Sequence, residues 1–379
     1  MSLIRRRHIL PAFLVVMLVS SCVYSYDDIP TGSDEAIPVF HGSIVLGEKA
    51  VFSYSWMQNL QGKYPSVISS DPQFSWWVED DLGNRYERSD ETGYVDLTEA
   101  PDDRSYRICA ELLGKTYESS LERALPTPEI TDIGFSADDE NVLVSISFAE
   151  ADGATGYMAL TYEETWEFHV DFIPEYLVNT LSWTVYSISD LMMPIESNYY
   201  CWRSYTNGSD IVVDLSRIDG PISDYPLAQF SRRSNRNHRK YSILAKARSI
   251  TKEEYDYRHN LDLNEEGGNN LFRPNPGEIA GNISCVSDPS QKALGYISLS
   301  KSASRRAFLD NRYLISVPPD NNVLMAVTPA SYQYYYNTLE YRPVKEIMVN
   351  GERVVGWGPL RCVDCVADGG TLEQPDFWE

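Results

Sequence analysis

Short stretches in which apolar and polar residues alternate, separated by turn residues, run through most of the chain. Alternation with a period of two places every second side chain on one face of a β-strand. Segments 74–78 and 85–86, joined by the turn residues 80–84, additionally predict a hairpin. The clearest apolar faces are formed by Tyr106, Ile108, Ala110 and Leu112, and by Val142, Val144, Ile146 and Phe148.

One segment departs from the strand pattern. Thr251 is followed three residues later by Glu254, a capping box that predicts a helix over residues 251–263. Pro126 and Pro128 disfavour both helix and central strand, and so mark a domain boundary.

These patterns predict a mainly β fold of tandem immunoglobulin- or fibronectin-like β-sandwich domains, with one helix inserted in the second. The predicted divisions are an immunoglobulin-like sandwich at 37–126, a second β-rich domain at 127–345, and a Cys/Gly-rich tail at 346–379 packed on the second domain.

The first residues predict a lipoprotein signal peptide. Three arginines at 5–7 precede an apolar run at 9–19, which is too short to span a bilayer and ends in Ser20, Ser21 and Cys22. We expect cleavage before Cys22, acylation of that residue, and a polar tether at 22–36. The alternative is an ordinary secretory signal followed by a chance cysteine.

Composition and charge narrow the possible partners. The 26 tyrosines, 8 tryptophans and 12 phenylalanines favour pleated surfaces over helices. The net charge of −23 becomes −26 once the three arginines of the signal are removed. Such a surface repels nucleic acid and anionic lipid, so we expect no nucleic-acid partner and a membrane contact made by the acyl chains.

Besides Cys22, the mature chain has five cysteines, which can be oxidised in an exported protein. We take Cys109 as the odd, unpaired thiol. A zinc site and a redox-active pair at 362–365 are the less favoured alternatives. The candidates for disulfide bonds, with their connectivity open, are Cys201, Cys285, Cys362 and Cys365.

Candidate chemistry is sparse. No nucleophile, phosphate-loop or paired-histidine metal spacing is present, so we predict no catalytic residues, no cofactor and no metal, and expect a non-enzymatic protein. The basic cluster at 232–240 could bind a ligand, although a solvated loop paired with nearby acids is the favoured interpretation. The weak candidates for ligand binding, for which ordinary packing is the alternative, are Tyr334, Tyr335, Tyr336 and Trp202.

Several motifs together resemble one family. They are the signal ending at Cys22, Cys201-Trp202, the strand at 241–248 followed by 251–255, the segments 281–285 and 295–298, Cys362-Val363-Asp364-Cys365, Gly369-Gly370-Thr371 and the ending 375–378. The chain resembles the Bacteroidetes outer-membrane lipoproteins called domain of unknown function 4249. The resemblance implies an immunoglobulin-like N-terminal portion and an envelope lipoprotein often encoded beside TonB-dependent receptors, and it implies no reaction.

The sequence therefore predicts a lipid-anchored envelope protein of the outer membrane, on its periplasmic or its cell-surface face. We expect a non-enzymatic accessory or binding component associated with a TonB-dependent uptake system. The alternative is a direct glycan- or peptide-binding lipoprotein. A hydrolase whose acidic residues meet only in space is the third hypothesis.

Overall fold

The computed structural model describes residues 37–57, 73–89, 91–150, 153–190, 198–218, 220–267, 281–309 and 323–378. Over these residues the chain is mainly β and forms several sheets, with two α-helices. None of the helices in these ranges is long and apolar enough to cross a membrane. The predicted signal peptide, Cys22 and the tether at 22–36 lie outside the described residues.

The strands and α-helices of the described residues follow one another along the chain in this order. The first strands are β1 Pro38–Leu46, β2 Lys49–Trp56, β3 Phe74–Asp80, β4 Arg85–Glu87, β5 Val95–Asp96, β6 Ser105–Leu112, β7 Lys115–Ser119, β8 Glu122–Arg123, β9 Ile130–Ala137, β10 Asn141–Phe148 and β11 Tyr157–His169. Then come β12 Tyr176–Asn179, β13 Thr184–Ser187, β14 Tyr200–Thr206, β15 Ile211–Asp214, β16 Ile222–Ser231, β17 Lys240–Ser249 and helix α1 Lys252–Gly267. The last elements are β18 Ile283–Cys285, β19 Ser298–Phe308, β20 Met325–Ala326, helix α2 Tyr332–Asn337, β21 Tyr341–Val349 and β22 Glu352–Pro359.

The N-terminal core lies between two packed sheets. Strands β1 and β2 supply one side, and β3, β6 and β7 supply the other. The predicted hairpin is confirmed, because β3 pairs with β4. The predicted apolar face of β6 is also confirmed, since its alternating apolar residues are all buried. Aromatic rings fill the space between the sheets; Phe52, for example, lies 5.6 Å from Trp76.

The second core lies between the sheet β16–β10–β9 and the strands β14, β11, β15 and β17. The predicted shared face of β10 is buried in this core, which confirms the prediction from alternation. Strand β16 lies at the edge of its sheet and carries Pro226, which an edge position tolerates because no ladder hydrogen bond is needed there.

Helix α1 begins one residue after the predicted cap and extends beyond the predicted end. The Thr251 hydroxyl accepts a hydrogen bond from the Glu254 backbone N–H at 3.0 Å, as a capping box requires. The Glu254 carboxylate is buried, however, and pairs with Arg248 at 3.0 Å and Arg258 at 2.8 Å. The Glu254–Arg248 ion pair therefore joins the helix to β17.

The chain returns to the N-terminal core late in the sequence. Strand β18 pairs with β7, and β19 runs parallel to β1 while it also pairs with β17. One eight-stranded sheet thus runs through both sandwiches. The sequence prediction assigned 283–299 to the second domain, whereas Ile283, Cys285, Ile297 and Leu299 pack in the N-terminal core.

A third, smaller unit, the C-terminal module, comprises residues 172–187 and 323–365. Its core consists of Phe172, Leu324, Val344, Cys362 and Val363. Strands β20, β22 and β21 form its sheet, and the β12–β13 hairpin joins it through the Glu175 N–H, which donates to the Val344 carbonyl at 2.6 Å. The predicted division between residues 345 and 346 falls inside strand β21.

Candidate binding surface

Helix α2 is short and rich in tyrosine, and two of its rings fix it to the C-terminal module. Tyr332 stacks on the fully buried Trp357, with ring centroids 4.8 Å apart. Tyr335 meets Tyr341 edge to face at 5.6 Å. Because six residues are too few for a helix to be stable alone, these contacts hold α2 in place.

The two remaining rings of α2 differ in their surroundings: Tyr334 faces solvent, and Tyr336 contacts two neighbours. Tyr334 is 56% exposed. The half-buried Tyr336 lies 6.1 Å from Trp183 of the β12–β13 hairpin, and the Arg342 guanidinium lies 3.7 Å above the Tyr336 ring. We call Tyr334, Tyr336, Trp183 and Arg342 the α2 surface. Its rings and cation can stack on a ligand or pack against a protein.

Sequence reasoning found the tyrosines of this surface and missed Trp183 and Arg342. The available signal was Asn179, a turn residue, followed by Thr180 and Ser182 between two β-branched or aromatic segments, which is typical of a hairpin. Nothing local indicated that this hairpin would meet a helix some 150 residues later in the chain.

Trp202, the fourth candidate for ligand binding, has a structural role. It lies in β14, and its backbone N–H and carbonyl both bond to Thr371, each at 2.8 Å. The C-terminal tail thereby covers the edge of the large sheet at this point. The Trp202 ring is half-buried, and its indole nitrogen is buried. Trp202 is thus separate from α2 and contributes to the closure of a sheet edge.

The basic cluster at 232–240 is largely paired with its own protein. Arg236 lies 3.0 Å from the buried Glu164, and Arg239 lies 3.4 Å from Glu167. Arg232 donates to the Asp138 carbonyl at 2.9 Å. These contacts confirm the favoured interpretation of a loop paired with nearby groups.

One disulfide forms among the four candidate cysteines, between Cys201 and Cys365. The predicted participation of Cys285 and Cys362 is wrong, since both are free and buried. Cys285 is held in the N-terminal core by β18, and Cys362 lies in the core of the C-terminal module, so different cores separate the two thiols. Cys109 is free, as predicted.

The thiols of Cys109 and Cys362 are poor nucleophiles. Burial raises the pKa of the Cys362 thiol to about 11, and the nearby Asp171 carboxylate adds to the shift. Burial likewise raises the pKa of Cys109 to about 12. Since the thiolate is the reactive form, both groups are protonated and unreactive near neutral pH. These properties do not support the redox interpretation of the 362–365 motif.

Two histidines stack beside the start of β14. The rings of His169 and His238 lie 4.6 Å apart, and the His238 Nδ1 lies 3.1 Å from the His169 carbonyl, to which it can donate. Burial lowers the pKa of His238, and His169 lowers it further. Across the described ranges, no three His, Cys, Asp or Glu side chains are grouped so that they could hold a metal ion.

Two grooves on the sandwiches contain carboxylates and are candidate reaction sites. A groove of about 770 Å³ over the β9–β10–β16 sheet has one carboxylate, Asp224, in its lining. A groove of about 360 Å³ at the junction of the sandwiches contains Glu48 and Asp210. Asp210 is paired with Arg248 at 2.6 Å and Arg258 at 3.0 Å, so it serves the ion cluster around α1. The geometry of these grooves gives the hydrolase hypothesis no support.

Comparison with known proteins agrees with the family resemblance drawn from the motifs. Among the curated proteins, none matches the chain. The family model described as "Domain of unknown function (DUF4249)" matches residues 53–306, which is more than half of the chain. This match spans most of both sandwiches, including β18 and nearly all of β19. The chain therefore belongs to the DUF4249 family.

Proposed function

We propose that the chain is a lipid-anchored, non-enzymatic protein of the outer membrane that acts as an accessory or binding component of a TonB-dependent uptake system. The observation that carries this proposal is the α2 surface. It presents Tyr334 to solvent, and on the same helix it places Tyr336 against Trp183 and Arg342. Tyrosine, tryptophan and arginine are the residue types that dominate binding energy at protein interfaces.

The proposed location follows from the signal ending at Cys22 and from the charge. A chain of net charge −26 has no general attraction to anionic headgroups, so acyl chains on Cys22 would supply the anchorage. The tether at 22–36 would then connect the anchor to β1. We further propose that the two sandwiches are of the immunoglobulin and fibronectin type, on either the periplasmic or the cell-surface face.

Cross-linking in intact cells, followed by capture of the chain from native membranes, tests the partner. With the wild-type chain we expect an outer-membrane receptor to be recovered. Tyr334→Ala should lower this recovery at least tenfold, because a central aromatic residue commonly contributes about 2 kcal/mol or more to binding. The matched control is Tyr205→Ala, since Tyr205 is a similarly exposed ring on β14.

Recovery of the wild-type chain as a free monomer would contradict the proposal. Equal loss of the partner in the Tyr334 and Tyr205 variants would show that the α2 surface is not the contact. Anchoring is tested separately by metabolic labelling with palmitate, which Cys22→Ser should abolish.

A second candidate function is direct binding of a glycan or peptide. The exposed ring of Tyr334 favours it, since a sugar face or a peptide side chain can stack on such a ring. Calorimetric titration of the mature chain with oligosaccharides and with short peptides tests this function. Saturable heat that disappears in Tyr334→Ala supports it, and the absence of heat with both ligand classes counts against it.

A further inference from the structure

The β12–β13 hairpin ends in an ordered, protruding turn. The Asn179 side-chain oxygen accepts hydrogen bonds from the N–H groups of Leu181 at 2.9 Å and Ser182 at 3.2 Å. The Trp183 N–H donates to the Asn179 carbonyl at 2.8 Å. This turn holds Leu181 at its apex, where the side chain is 94% exposed. We call residues 179–183 the hairpin tip.

The hairpin tip holds a tryptophan in a conformation that favours glycine. Trp183 has φ = +54°, in the left-handed region. The β3–β4 turn has a related but shorter construction: Asp80 Oδ1 accepts from the N–H groups of Leu82 at 3.0 Å and Asn84 at 2.8 Å, and the Gly83 N–H donates to the Asp80 carbonyl at 3.0 Å. Leu82 is also exposed. There the left-handed position is filled by Gly83, at φ = +81°.

Both turns place a left-handed residue just before the second strand, and they differ in the residue type at that position. Glycine adopts a positive φ without steric cost, whereas a bulky residue does so only against strain. Strained residues of this kind concentrate at functional sites. The hairpin tip retains a tryptophan where glycine would relieve the strain, and the ring of this tryptophan contacts Tyr336.

The groups behind the hairpin tip suit the boundary between lipid and water. Trp183 contacts Tyr336, and Arg342 stacks on that ring. Tryptophan and tyrosine concentrate at membrane interfaces, and arginine extends its charge to the headgroups there. The C-terminal module contains four basic and five acidic residues, in a chain that is otherwise strongly acidic. This unit is therefore repelled from an anionic lipid surface far less than the remainder is.

We propose that the hairpin tip is a second membrane contact, in which Leu181 and Trp183 enter the headgroup region of the bilayer that holds the lipid anchor. The inference rests on the proposed anchoring through Cys22. A fully extended tether at 22–36 reaches roughly 50 Å, so the anchor keeps the body at a high effective concentration near the bilayer. A weak apolar contact is then enough to orient the protein and to place the α2 surface beside a membrane-embedded partner.

The test uses the mature chain coupled through Cys22 to a maleimide lipid in phosphatidylcholine vesicles. The buried thiols and the disulfide leave Cys22 as the thiol for coupling. A fraction of the phosphatidylcholine carries brominated acyl chains, which quench nearby tryptophan. We expect quenching of the wild-type chain that is lost in Trp183→Phe. In Leu181→Asp the quenching should fall at least fivefold.

The matched control is Leu82→Asp, which alters an exposed leucine on the shorter β3–β4 turn and should quench like the wild type. Wild-type quenching equal to that of Leu181→Asp, or no quenching at all, would overturn the proposal. So would a photo-cross-linker at position 181 that captures a protein in cells in place of lipid. Because coupling to the vesicle is chemical, failure here is distinguishable from failure of acylation at Cys22, which palmitate labelling reports.

Discussion

The N-terminal core and the C-terminal module are stabilised in different ways. Among the described residues, the N-terminal core has 21 buried members, including fully buried aromatic rings, whereas the core of the C-terminal module has five. Stability from burial scales with the apolar area removed from water, so the module gains far less from its own interior. It also exposes Leu181, Tyr334 and Met348. The comparison indicates a sandwich with a large buried core beside a small unit, the C-terminal module, whose exposed apolar side chains suit binding.

Truncation of a core side chain in each region tests this difference most strongly. Trp76→Ala should lower the free energy of unfolding by about 3–5 kcal/mol, because Trp76 is almost fully buried among aromatic rings. Val344→Ala in the module removes fewer atoms and should cost roughly 2 kcal/mol. Chemical denaturation monitored by circular dichroism measures both. A larger loss for Val344→Ala would show that core size does not separate the two regions.

The disulfide should matter next, because it links the end of the C-terminal module to the second core. The Cys201–Cys365 bond joins residues 164 apart, and both cysteines are buried in the second core. Replacing both cysteines by alanine should cost about 2–4 kcal/mol, since the unfolded chain regains the freedom that the bond removes. Cys285→Ala, which removes an unbonded thiol from the N-terminal core, is the control at roughly 1 kcal/mol.

Proteolysis under native conditions locates the effect of the disulfide. In the double variant we expect the first cleavage within 323–378, with the N-terminal sandwich intact. First cleavage in the N-terminal sandwich would show that the disulfide does not chiefly stabilise the C-terminal module. An equal loss of stability in Cys285→Ala would show the same.

The same division separates what the sequence could predict from what it could not. Strands such as β6 and β10 were predictable because alternation is local and one face meets a core. The parallel pairing of β1 with β19 was not, since it joins segments more than 250 residues apart that carry no matching local signal. The participation of Cys285 in a disulfide was wrongly predicted for the same reason, because its position depends on the pairing of β18 with β7.

The candidate site was predictable only in part. Tyr334 and Tyr336 were found because a run of tyrosines is conspicuous in the sequence. Trp183 was missed because local rules place glycine or asparagine, rather than tryptophan, at a left-handed turn position. Trp183, which departs from this local preference, is a residue that the structure places at the α2 surface.

A pH-dependent effect should also come from the region of the disulfide. Burial and the neighbouring His169 lower the pKa of His238 below its ordinary value of 6.5, against the opposing charges of Asp171 and Asp368. Between the lowered folded pKa and 6.5, the unfolded chain binds more protons than the folded chain, so stability falls as the pH drops through this window. It levels off below the folded pKa.

Denaturation curves at several pH values check the effect of His238. In His238→Asn the part of the slope below pH 6.5 that comes from this residue should disappear. His259→Asn, which alters an exposed imidazole on α1, should keep the wild-type slope. A slope that is unchanged in His238→Asn would assign the pH dependence to other groups, including His41, whose pKa burial also lowers.

The smallest effect on stability is expected at the hairpin tip. A small effect there allows the contact with the membrane to be tested separately from folding. Leu181→Asp and Leu82→Asp should each change the free energy of unfolding by less than about 0.5 kcal/mol, because both side chains are largely exposed. If Leu181→Asp leaves folding intact and still loses the contact with the vesicle, the hairpin tip acts through its contact with the lipid bilayer. A loss above about 1 kcal/mol would instead mean that Leu181 packs within the folded chain or against a second copy. Denaturation at two protein concentrations separates those cases, since only association makes the loss depend on concentration.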